Sequence, residues 1–585
     1  MGPLSVPVAT QPVSEEAPSR EDHKRTLALE SFLEEHGRVE RGARSMLRAA
    51  ALEELGEIVR QWMARLCAAL PGVPDAAHAR AHIMPFGSYR LAVNAVDADI
   101  DTVLLVPQHV NRGRDFFGSP DPVQGIPWLK APANILANVL RADSRVSGFV
   151  AVADTHTPIL TFDFTPSAGG EAIEIDMACA PIAVDYLPEA VGSIPDEWLE
   201  SADDFTMRSL NGTRVADAIL AQLPSAPRRE AFRTALRLLK FWAQRRGVYS
   251  NKMGYLAGVQ LAILVCKVCQ LYPTALASTV VAKFFRLYKD WPWPKEVELV
   301  ERVVKGWAMD RQIWRTKPNN REIMPIITPA YPGMNSTFSV NRATLRVLKE
   351  ELERGHDFAR GIEEGIEQWD ALVHPTEFFT KNKDMIRIDV IAGTEEHFQQ
   401  WFGLCEANIR NYVNDTERFS PLQLHCYPKA FEWPWPTPPA AERCLPPTTQ
   451  YCRSFFLAFS VKAEKSDNSV SLKRCNEKWI EQVQKKAERG EWWTADMVIE
   501  LKQVRRKQIP SADFMPAMRY AFSPACLARP SRCFGCCALL LPVVSLKALC
   551  WCCRRCVQQS LGSQATRAQD SRARSSGRGG SDGRA

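Results

Sequence analysis

The spacing of apolar residues divides the chain into regions with different predicted structures. Between residues 25 and 70, apolar side chains recur every three or four positions, which predicts helices. A short mixed strand and an acid-rich strand follow, and the stretches "TPILTFDF" and "AIEIDMACAP" predict two further strands. We therefore predict that residues 23–183 form N-terminal helices and a mixed α/β domain.

The chain after residue 183 is predicted to form a helical domain and then a second mixed domain. Residues 184–344 contain long helical stretches, of which "REAFRTALRLLKFWAQRR" is the clearest. Residues 345–510 combine helical pieces such as "HFQQWFGLCEANIRNYV" with strand-like pieces such as "DMIRIDVIAG". The predicted fold class is therefore an α+β multidomain protein.

Both ends of the chain lack this regular pattern. Residues 1–22 are rich in Pro, Ser, Ala and Glu, which predicts a disordered arm. Residues 511–585 form a Cys-rich and Ser/Arg/Gly tail of low predicted order. Its segment "CFGCCALLLPVVSLKALCWCCRRC" has three interpretations. The first is a zinc site, and the second is a membrane anchor, which Pro542 and Lys547 make less suitable. The third is a non-functional extension, which is the interpretation that we favour.

Composition and charge narrow the class of protein. A chain of 585 residues is too long for one hydrophobic core, and 46% hydrophobic with 24% charged residues is ordinary for a globular protein. The net charge of +6 permits a nucleic-acid partner without requiring one. The N-terminus lacks the basic and apolar segments of a secretory signal. The cysteines between residues 67 and 475 lack paired spacing, which is typical of a reducing compartment.

Acidic residues alternate with apolar ones where a buried strand begins. In "AVDADIDTVLLVP", Asp97, Asp99 and Asp101 would point to the same side of a strand. Carboxylates held this close repel one another and raise one another's pKa unless a cation lies among them. The segment is therefore either a solvated turn that leads into a strand or a metal site.

A second predicted strand carries acids on one face. In "AIEIDMACA", Glu174 and Asp176 alternate with isoleucines. Carboxylates are rare on buried strands because their desolvation is costly without a partner. Acids on two strands of one small domain indicate a shared cation, and a ligand set made only of oxygen favours Mg²⁺ or Mn²⁺ over zinc.

A turn and a lysine add two indications of a phosphate ligand. Gly87 and Ser88 of "FGSYRL" precede the acids, and backbone N–H groups with a serine hydroxyl bind phosphate oxygens. A Gly-Ser pair alone is common in turns, but together with the acids it predicts a nucleotidyltransferase site. Lys240 lies in a helix that is apolar on most faces, where either a route to solvent or a triphosphate would accommodate its charge.

Several long motifs in fixed order resemble the eukaryotic nuclear-type poly(A) polymerases of the DNA polymerase beta-like nucleotidyltransferase superfamily. The resemblance covers roughly residues 25–490. It rests on "FGSYRL…ADIDTVLLVPQHVNR", "IEIDMACA", "RSLNGTRVADAIL", "LRLLKFWAQRRGVYSN", "GVQLAILVCKVCQLYPTALASTVVAKFF", "WPWP" and "MPIITPAYPGMNSTFSV". The last motif is specific to this family, whereas the D-x-D core is shared by many nucleotidyltransferases.

The resemblance implies a catalytic site and an ATP site. Asp99, Asp101 and Asp176 would be catalytic and would bind two Mg²⁺ or Mn²⁺ ions. Asp99 and Asp101 would hold both ions, and Asp176 would help to activate the RNA 3′-hydroxyl. Lys240 and Tyr249 would contact the triphosphate. The full set of implied ATP contacts, in which Phe86 and Val259 flank the adenine, is Phe86, Gly87, Ser88, Asn211, Lys240, Tyr249, Asn251, Gly258 and Val259.

The same resemblance implies template-independent addition of AMP from ATP to RNA 3′ ends, as in mRNA polyadenylation. Residues 184–344 would complete the ATP site. Residues 345–510 would form an RRM-like domain that helps to hold RNA, although the aromatic RNP motifs of a true RRM are not visible in it.

The resemblance implies that the partners are ATP, the RNA 3′ end and cleavage and polyadenylation factors, and that no lipid is a partner. It also implies a monomeric protein with a nuclear location.

Two alternatives to this function stay open at the level of the sequence. One is an RNA nucleotidyltransferase with another nucleotide preference, such as a uridylyl-adding or CCA-adding enzyme. The other is a catalytically inactive RNA-binding scaffold.

Some positions depart from the family pattern. Asp97 stands where the family usually has a small or neutral residue, and Gln244 occupies a position that is lysine in many members. "VAVADTHTP" and "TPSAGG" resemble insertions between the second and third acids. None of these departures removes a metal ligand.

The segment "RQIWRTKPNNR", with Trp314 among its cations, either lines an RNA cleft or forms a solvated loop.

Overall fold

A computed structural model of the protein describes residues 11–40, 42–69, 79–118, 134–153, 157–315, 322–432, 451–461, 471–490 and 492–509. All of these residues lie within one compact unit, Met1–Arg519. The tail predicted for residues 511–585, with its cysteine-rich segment, lies outside the described residues. In the described part of the chain, no helix is both long enough and apolar enough to cross a membrane.

Two helices precede the first sheet. Helix α1 (Arg20–Glu35) begins after the N-cap Ser19, whose hydroxyl oxygen accepts a hydrogen bond from the Asp22 backbone N–H at 3.1 Å. The Asp22 carboxylate in turn accepts from the Ser19 backbone N–H at 2.9 Å, which completes a capping box. Helix α2 (Gly42–Ala69) follows and buries an apolar stripe against the first sheet.

The segment before α1 lies against the helical part of the molecule. The backbone N–H of Val13 donates to the Leu271 carbonyl at 2.8 Å, and the Thr274 hydroxyl donates to the Glu16 carbonyl at 2.7 Å. Over residues 11–22 the structure therefore differs from the disordered arm that the sequence predicts for residues 1–22. The reason is that the hydrogen-bond partners of this segment are distant in sequence, so local composition does not reveal them.

The first sheet contains five strands in the order β1-β2-β5-β4-β3. Strands β2 and β5 are parallel, and the other neighbours in this sheet are antiparallel. This region confirms the predicted mixed α/β architecture. Its strands and helices are β1 (His82–Pro85), α3 (Gly87–Arg90), β2 (Ile100–Pro107), α4 (Leu136–Ala142), β3 (Val146–Val152), β4 (Ile159–Phe164) and β5 (Ile173–Ile182).

The apolar run of β2 is buried on both faces of the sheet. Ile100 and Leu104 point into the core that α2 covers, whereas Val103 and Leu105 point into a second core on the other face that includes Leu210. The sequence of a strand that is buried on both faces is a continuous run of apolar residues, rather than an alternation of apolar and polar residues. This explains why "TVLLV" follows the acids without a polar interruption.

A helical region follows the first sheet. Its longer helices contribute to the largest hydrophobic core, in which Trp242 is fully buried and meets the Phe285 ring at a centroid distance of 4.9 Å. The helix predicted from "REAFRTALRLLKFWAQRR" is confirmed as α6. The helices are α5 (Asp204–Ala221), α6 (Ala226–Arg245), α7 (Gly258–Leu271), α8 (Ala277–Lys289), α9 (Arg342–Glu363), α10 (Trp369–Leu372) and α11 (Phe378–Lys381).

The second sheet is formed by the last part of the described chain. Four of its strands lie in the order β10-β6-β9-β7, and the chain passes through these four strands and two helices as a βαββαβ unit. The two-residue strand β8 also pairs with β9. The buried Trp401 and Trp479 anchor its two long helices to the core. The elements are β6 (Asp384–Ala392), α12 (Glu395–Phe419), β7 (Leu422–Cys426), β8 (Phe431–Glu432), β9 (Tyr451–Val461), α13 (Lys473–Arg489) and β10 (Val498–Arg505).

The face of the second sheet opposite α12 and α13 carries an internal polar network. Arg387 and Asp389 of β6 form an ion pair at 2.8 Å, and the Ser454 hydroxyl of β9 donates to the same carboxylate at 2.6 Å. Phe456 and Phe378 belong to a small apolar cluster on this side of the sheet. The centre of this face is thus occupied by contacts within the protein.

The helical region and the second sheet share one core. The Tyr255 hydroxyl donates to the Cys426 carbonyl at 2.7 Å, and one hydrophobic core contains Trp242 of α6 and Trp401 of α12. The boundary predicted between residues 344 and 345 falls within the first turn of α9. The division of the chain into domains stays a prediction.

Candidate functional site

The parallel pairing of β2 and β5 brings three carboxylates together. Asp101 lies directly opposite Asp176 in the register of the two strands, and Asp99 precedes β2 by one residue. One carboxylate oxygen from each of Asp99, Asp101 and Asp176 lies within 4.8 Å of the others, and all three side chains are half-buried. The sequence placed these acids on two strands, and the structure shows that the strands are neighbours.

The cluster is electrostatically unfavourable by itself. Burial, followed by the charges of Asp99 and Asp176, raises the pKa of Asp101 to about 7, and the charge of Lys240 partly opposes this rise. Burial and the charge of Asp99 also raise the pKa of Asp176, although the Thr161 hydroxyl, which donates to Asp176 Oδ1 at 2.6 Å, lowers it. A divalent cation among these oxygens would relieve the repulsion.

Glu174 is exposed and lies at the edge of this acidic surface. Burial and the charges of Asp99, Asp176 and Asp163 raise its pKa. Its carboxylate is not among those that converge in the cluster formed by the described residues. Asp97 is also outside that cluster and is exposed in the turn before β2. Its charge acts instead on Arg38, Lys240 and Lys429.

The turn that opens α3 lies directly against the Asp101 carboxylate. Gly87 has φ of +60°, and a Cβ at this position would lie 2.1 Å from Asp101 Oδ2. The backbone N–H of Phe86 donates to the Asp101 carbonyl at 2.9 Å. Only glycine fits here, because any larger residue would be strained and would displace a carboxylate of the cluster. Ser88 follows in the same turn, and its carbonyl accepts from the Val93 N–H at 2.9 Å.

Helix α5 supports the other side of this turn. A Cβ on Gly212 would lie 2.5 Å from the Phe86 ring, so the ring packs directly against the helix backbone. Arg90 of α3 forms an ion pair with Asp217 of α5 at 2.5 Å. Next to Gly212, the Asn211 carbonyl oxygen Oδ1 is buried and has no hydrogen-bond partner in the described part of the chain. A buried acceptor of this kind suits a ligand that donates a hydrogen bond.

Lys240 and Tyr249 belong to the helical region, but the charges of the acids in the cluster shift the pKa values of both side chains. Burial lowers the pKa of Lys240, and the charges of Asp99 and Asp101 raise it. Burial, followed by the charges of Asp99 and Asp101, raises the pKa of Tyr249 to about 12. The sequence-predicted lysine and tyrosine therefore lie near the carboxylate cluster, in a position to meet an anionic ligand.

The start of α7 adjoins Tyr249. A Cβ on Gly258 would lie 3.4 Å from the Tyr249 hydroxyl, and the neighbouring Val259 is 38% exposed. Asn251 has a different environment: its amide donates to the Ser336 carbonyl at 3.3 Å and its oxygen accepts from the Ser339 hydroxyl at 3.0 Å. Asn251 thus ties its own turn to the loop that contains "MNSTFSV".

Two sets of residues near the cluster were missed by sequence reasoning. Thr161 of β4 lies opposite Asp176 and binds its carboxylate. Glu40, Arg48 and Asn94 form a buried polar network behind the loop that carries Asp99. Arg48 was detectable as a charged residue on the apolar stripe of α2, but its partners were not, because they lie elsewhere in the sequence.

Trp314 of the cation-rich segment is buried. Its indole N–H donates to Glu322, and the Arg302 guanidinium lies 5.3 Å from its ring centroid. A buried ring does not stack on RNA. Residues 316–321 of the segment lie outside the described residues, so both interpretations of the segment as a whole stay predictions.

The donor set suits a hard divalent cation. Three carboxylates converge with no histidine or cysteine among them, a combination that favours Mg²⁺ or Mn²⁺. The missing side chain of Gly87 leaves room beside Asp101 that a Cβ would fill. Asp99, Asp101 and Asp176 are therefore the residues that could hold a metal ion.

Comparison with known proteins gives matches over most of the chain. Residues 9–223 match the family model of the poly(A) polymerase nucleotidyltransferase domain, and residues 231–375 match that of the poly(A) polymerase central domain. A poly(A) polymerase of Dictyostelium discoideum is 34% identical over 514 residues, which cover 86% of this chain and 58% of that protein.

Two further relatives show a similar level of identity. Nuclear poly(A) polymerase 4 of Arabidopsis thaliana is 34% identical, with 87% of this chain and 64% of that protein covered. Poly(A) polymerase pla1 of Schizosaccharomyces pombe is 33% identical, with 73% of this chain and 71% of that protein covered. The chain thus spans less than two thirds of the length of the Dictyostelium and Arabidopsis proteins.

We predict that Gly87→Ala lowers catalytic activity by about 100-fold, the scale of loss caused by misplacing a reacting group by about 1 Å. The new Cβ would push the Asp101 carboxylate out of the cluster and would strain the backbone. Nucleotide incorporation by the purified variant measures the effect. Gly56→Ala is a matched control, since a Cβ there meets nothing within 4 Å. Activity of Gly87→Ala equal to that of the control would contradict the proposed role of the turn.

We also predict that Asp101→Asn stabilises the metal-free protein at pH 8. A carboxyl group whose pKa is raised in the folded state contributes stability at low pH that is lost as the pH rises through the folded pKa, here about 7. In EDTA, the thermal midpoint of the variant should therefore exceed that of the wild type by about 2 °C or more at pH 8. The difference should shrink toward pH 5. A difference independent of pH would contradict the electrostatic account.

Proposed function

The chain belongs to the poly(A) polymerase family, and we propose on this basis that it adds AMP from ATP to RNA 3′ ends without a template. The observation that carries the proposal is the convergence of Asp99, Asp101 and Asp176 within 4.8 Å on two parallel strands. A scaffold without catalytic activity would have no use for three half-buried carboxylates that repel one another.

The proposed cofactor is a pair of Mg²⁺ or Mn²⁺ ions. Asp99 and Asp101 would hold both ions and Asp176 one of them. When bound there, the ions would supply positive charge to phosphate oxygens and lower the pKa of the attacking hydroxyl. Thr161 holds the Asp176 carboxylate in one orientation through Oδ1. In this proposal Asp176 helps to activate the RNA 3′-hydroxyl for in-line attack on the α-phosphate of ATP.

Lys240 and Tyr249 would contact the triphosphate. Lys240 is half-buried in α6, where desolvation disfavours its charge and an anionic ligand would restore it. The backbone N–H groups of the Gly87-Ser88 turn, together with the Ser88 hydroxyl, would bind phosphate oxygens. Gly258 would approach the nucleotide beside Tyr249.

The adenosine part of ATP would lie between the first sheet and the start of α7. Phe86 and the partly exposed Val259 would flank the adenine. The unpartnered Oδ1 of Asn211 would accept a hydrogen bond from the nucleotide. Asn251 would contact ATP while anchored to Ser336 and Ser339. Because no template selects the base, the pocket itself must reject nucleotides that leave its polar groups unpaired.

The βαββαβ region around the second sheet would form an RRM-like domain that helps to hold RNA. Its polar face is occupied by the Arg387–Asp389 pair and Ser454, so RNA would be held by phosphate contacts rather than by aromatic stacking on the sheet centre. Such binding weakens as the salt concentration rises.

We propose a nuclear location and a monomeric protein that meets cleavage and polyadenylation factors. Relatives named nuclear poly(A) polymerases in Arabidopsis thaliana support the location. ATP and the RNA 3′ end are the proposed substrates.

Primer extension with each nucleotide tests the function. The purified chain, a short RNA and Mg²⁺ are incubated with one NTP at a time, and we expect ATP to be incorporated at least tenfold faster than the others. Asp99→Ala and Asp176→Ala should abolish incorporation without lowering the thermal midpoint, since each removes one of the mutually repelling charges. Asp97→Asn, a change in a nearby exposed acid outside the cluster, is the matched control and should keep activity within about threefold of the wild type.

The nucleotide profile separates the alternatives. Preferential use of UTP, or of CTP followed by ATP, would identify a polymerase of different specificity. Binding of RNA without incorporation of any nucleotide would identify a scaffold and overturn the proposal.

We predict that Lys240→Met raises the KM for ATP at least tenfold, a loss of about 1.4 kcal/mol. The reason is that the variant removes the positive charge expected at the triphosphate, while the methylenes of methionine keep the packing of α6. Steady-state kinetics with varied ATP measures the effect. Lys267→Met is a suitable control, since Lys267 is also half-buried but lies near Glu298 rather than near the acids. An equal change in KM for both variants would contradict the assignment.

A further inference from the structure

Arg48 is a charged residue that is completely buried in α2. Its side chain is 0% exposed, and its Nε donates to Glu40 Oε1 at 2.7 Å. A buried arginine is stable only when its charge is paired and its N–H groups are hydrogen-bonded. Glu40, itself 8% exposed, balances the charge. The remaining N–H groups must therefore be satisfied by other partners.

Those partners are the backbone carbonyls of the loop that precedes β2. The two terminal nitrogens of Arg48 donate to the carbonyls of Val96 at 3.4 Å, Ala98, and Asp99 at 3.5 Å. Loop carbonyls outside a sheet have no strand partner, so a side chain that reaches several of them fixes the path of the backbone. Asp99, the first acid of the cluster, is one of the residues held in this way.

Asn94 connects the other end of the loop to the same network. Its side chain is 8% exposed, and its amide nitrogen donates to Glu40 Oε2. Glu40 therefore binds Arg48 with one oxygen and Asn94 with the other. Together the three residues hold residues 94–99 at both ends, between the Gly87-Ser88 turn and β2.

We propose that Glu40, Arg48 and Asn94 form a positioning clamp that places the Asp99 carboxylate at the divalent-cation site. The inference rests on the proposed function, since it concerns the same carboxylate cluster. The clamp acts by geometry: Glu40 neutralises Arg48, and the hydrogen bonds from Arg48 go to main-chain oxygens rather than to the three carboxylates. Loosening it should weaken cation binding more than it changes the chemistry once the ions are bound.

Direct cation binding tests the clamp. The full-length chain is titrated with Mn²⁺ in the absence of nucleotide and RNA, and the free ion is followed by electron paramagnetic resonance. We expect Glu40→Gln and Asn94→Ala to weaken Mn²⁺ binding at least fivefold. The Mg²⁺ concentration for half-maximal ATP incorporation should rise by a similar factor, whereas kcat at saturating Mg²⁺ should stay within about twofold of the wild type. Asn94→Ala keeps the Arg48–Glu40 pair, so its fold is expected to persist. Glu40→Gln leaves the Arg48 charge unbalanced and should lower the thermal midpoint, so Mn²⁺ binding is measured below the midpoint of each variant.

Glu351→Gln is the matched control, because it makes the same change in another arginine–glutamate pair, in which the buried Arg246 meets the half-buried Glu351 at 2.8 Å. It should lower the thermal midpoint while leaving Mn²⁺ affinity unchanged. Wild-type Mn²⁺ affinity in Glu40→Gln and Asn94→Ala, with a lowered thermal midpoint, would overturn the clamp and leave the proposed function intact. A wild-type chain that binds no Mn²⁺ and incorporates no ATP would overturn both.

Discussion

Repulsion among three carboxylates is the constraint around which the first sheet is built. Two unit charges 4 Å apart repel by about 4 kcal/mol at an effective dielectric constant of about 20. One carboxylate oxygen from each of Asp99, Asp101 and Asp176 lies within 4.8 Å of the others, because β2 and β5 pair in parallel. Burial, followed by the charges of the other two acids, raises the pKa of Asp101, and a bound cation would offset the repulsion. The surrounding structure therefore has to hold the acids in place against their own repulsion.

Several contacts keep the three carboxylates in place, and each contact comes from a different part of the chain. The run from Val103 to Val106 anchors β2 in cores on both faces, so the strand cannot shift to separate the acids. Thr161 fixes Asp176 from the neighbouring strand. Gly87 lets the turn that opens α3 approach Asp101 closely. The residues that face the expected triphosphate belong instead to the helical region, whose core is separate from that behind the first sheet. The candidate site therefore combines residues of the first sheet with residues of the helical region.

The region around the second sheet has no such cluster of repelling charges among its described contacts at the centre of its polar face. Its sheet shares a core with the helical region, and the centre of its polar face is closed by an ion pair and a serine hydroxyl. A surface closed in this way favours recognition of a charged backbone over recognition of individual bases. This is consistent with the proposed function, in which the nucleotide pocket would select the base and this region would hold RNA.

The sequence by itself determined the helices and the acid-bearing strands, because hydrophobic periodicity and the D-x-D pattern are local. The motifs also pointed to the family, and that resemblance implied Asp99, Asp101 and Asp176 among the acids of these strands. Only the tertiary structure decided that Asp101 lies opposite Asp176, that Asp97 stays outside the cluster, and that Trp314 is buried. It also showed that Arg48 supports the Asp99 loop and that residues 11–19 pair with the end of α7. These features depend on contacts between residues far apart in the chain, which local patterns do not encode.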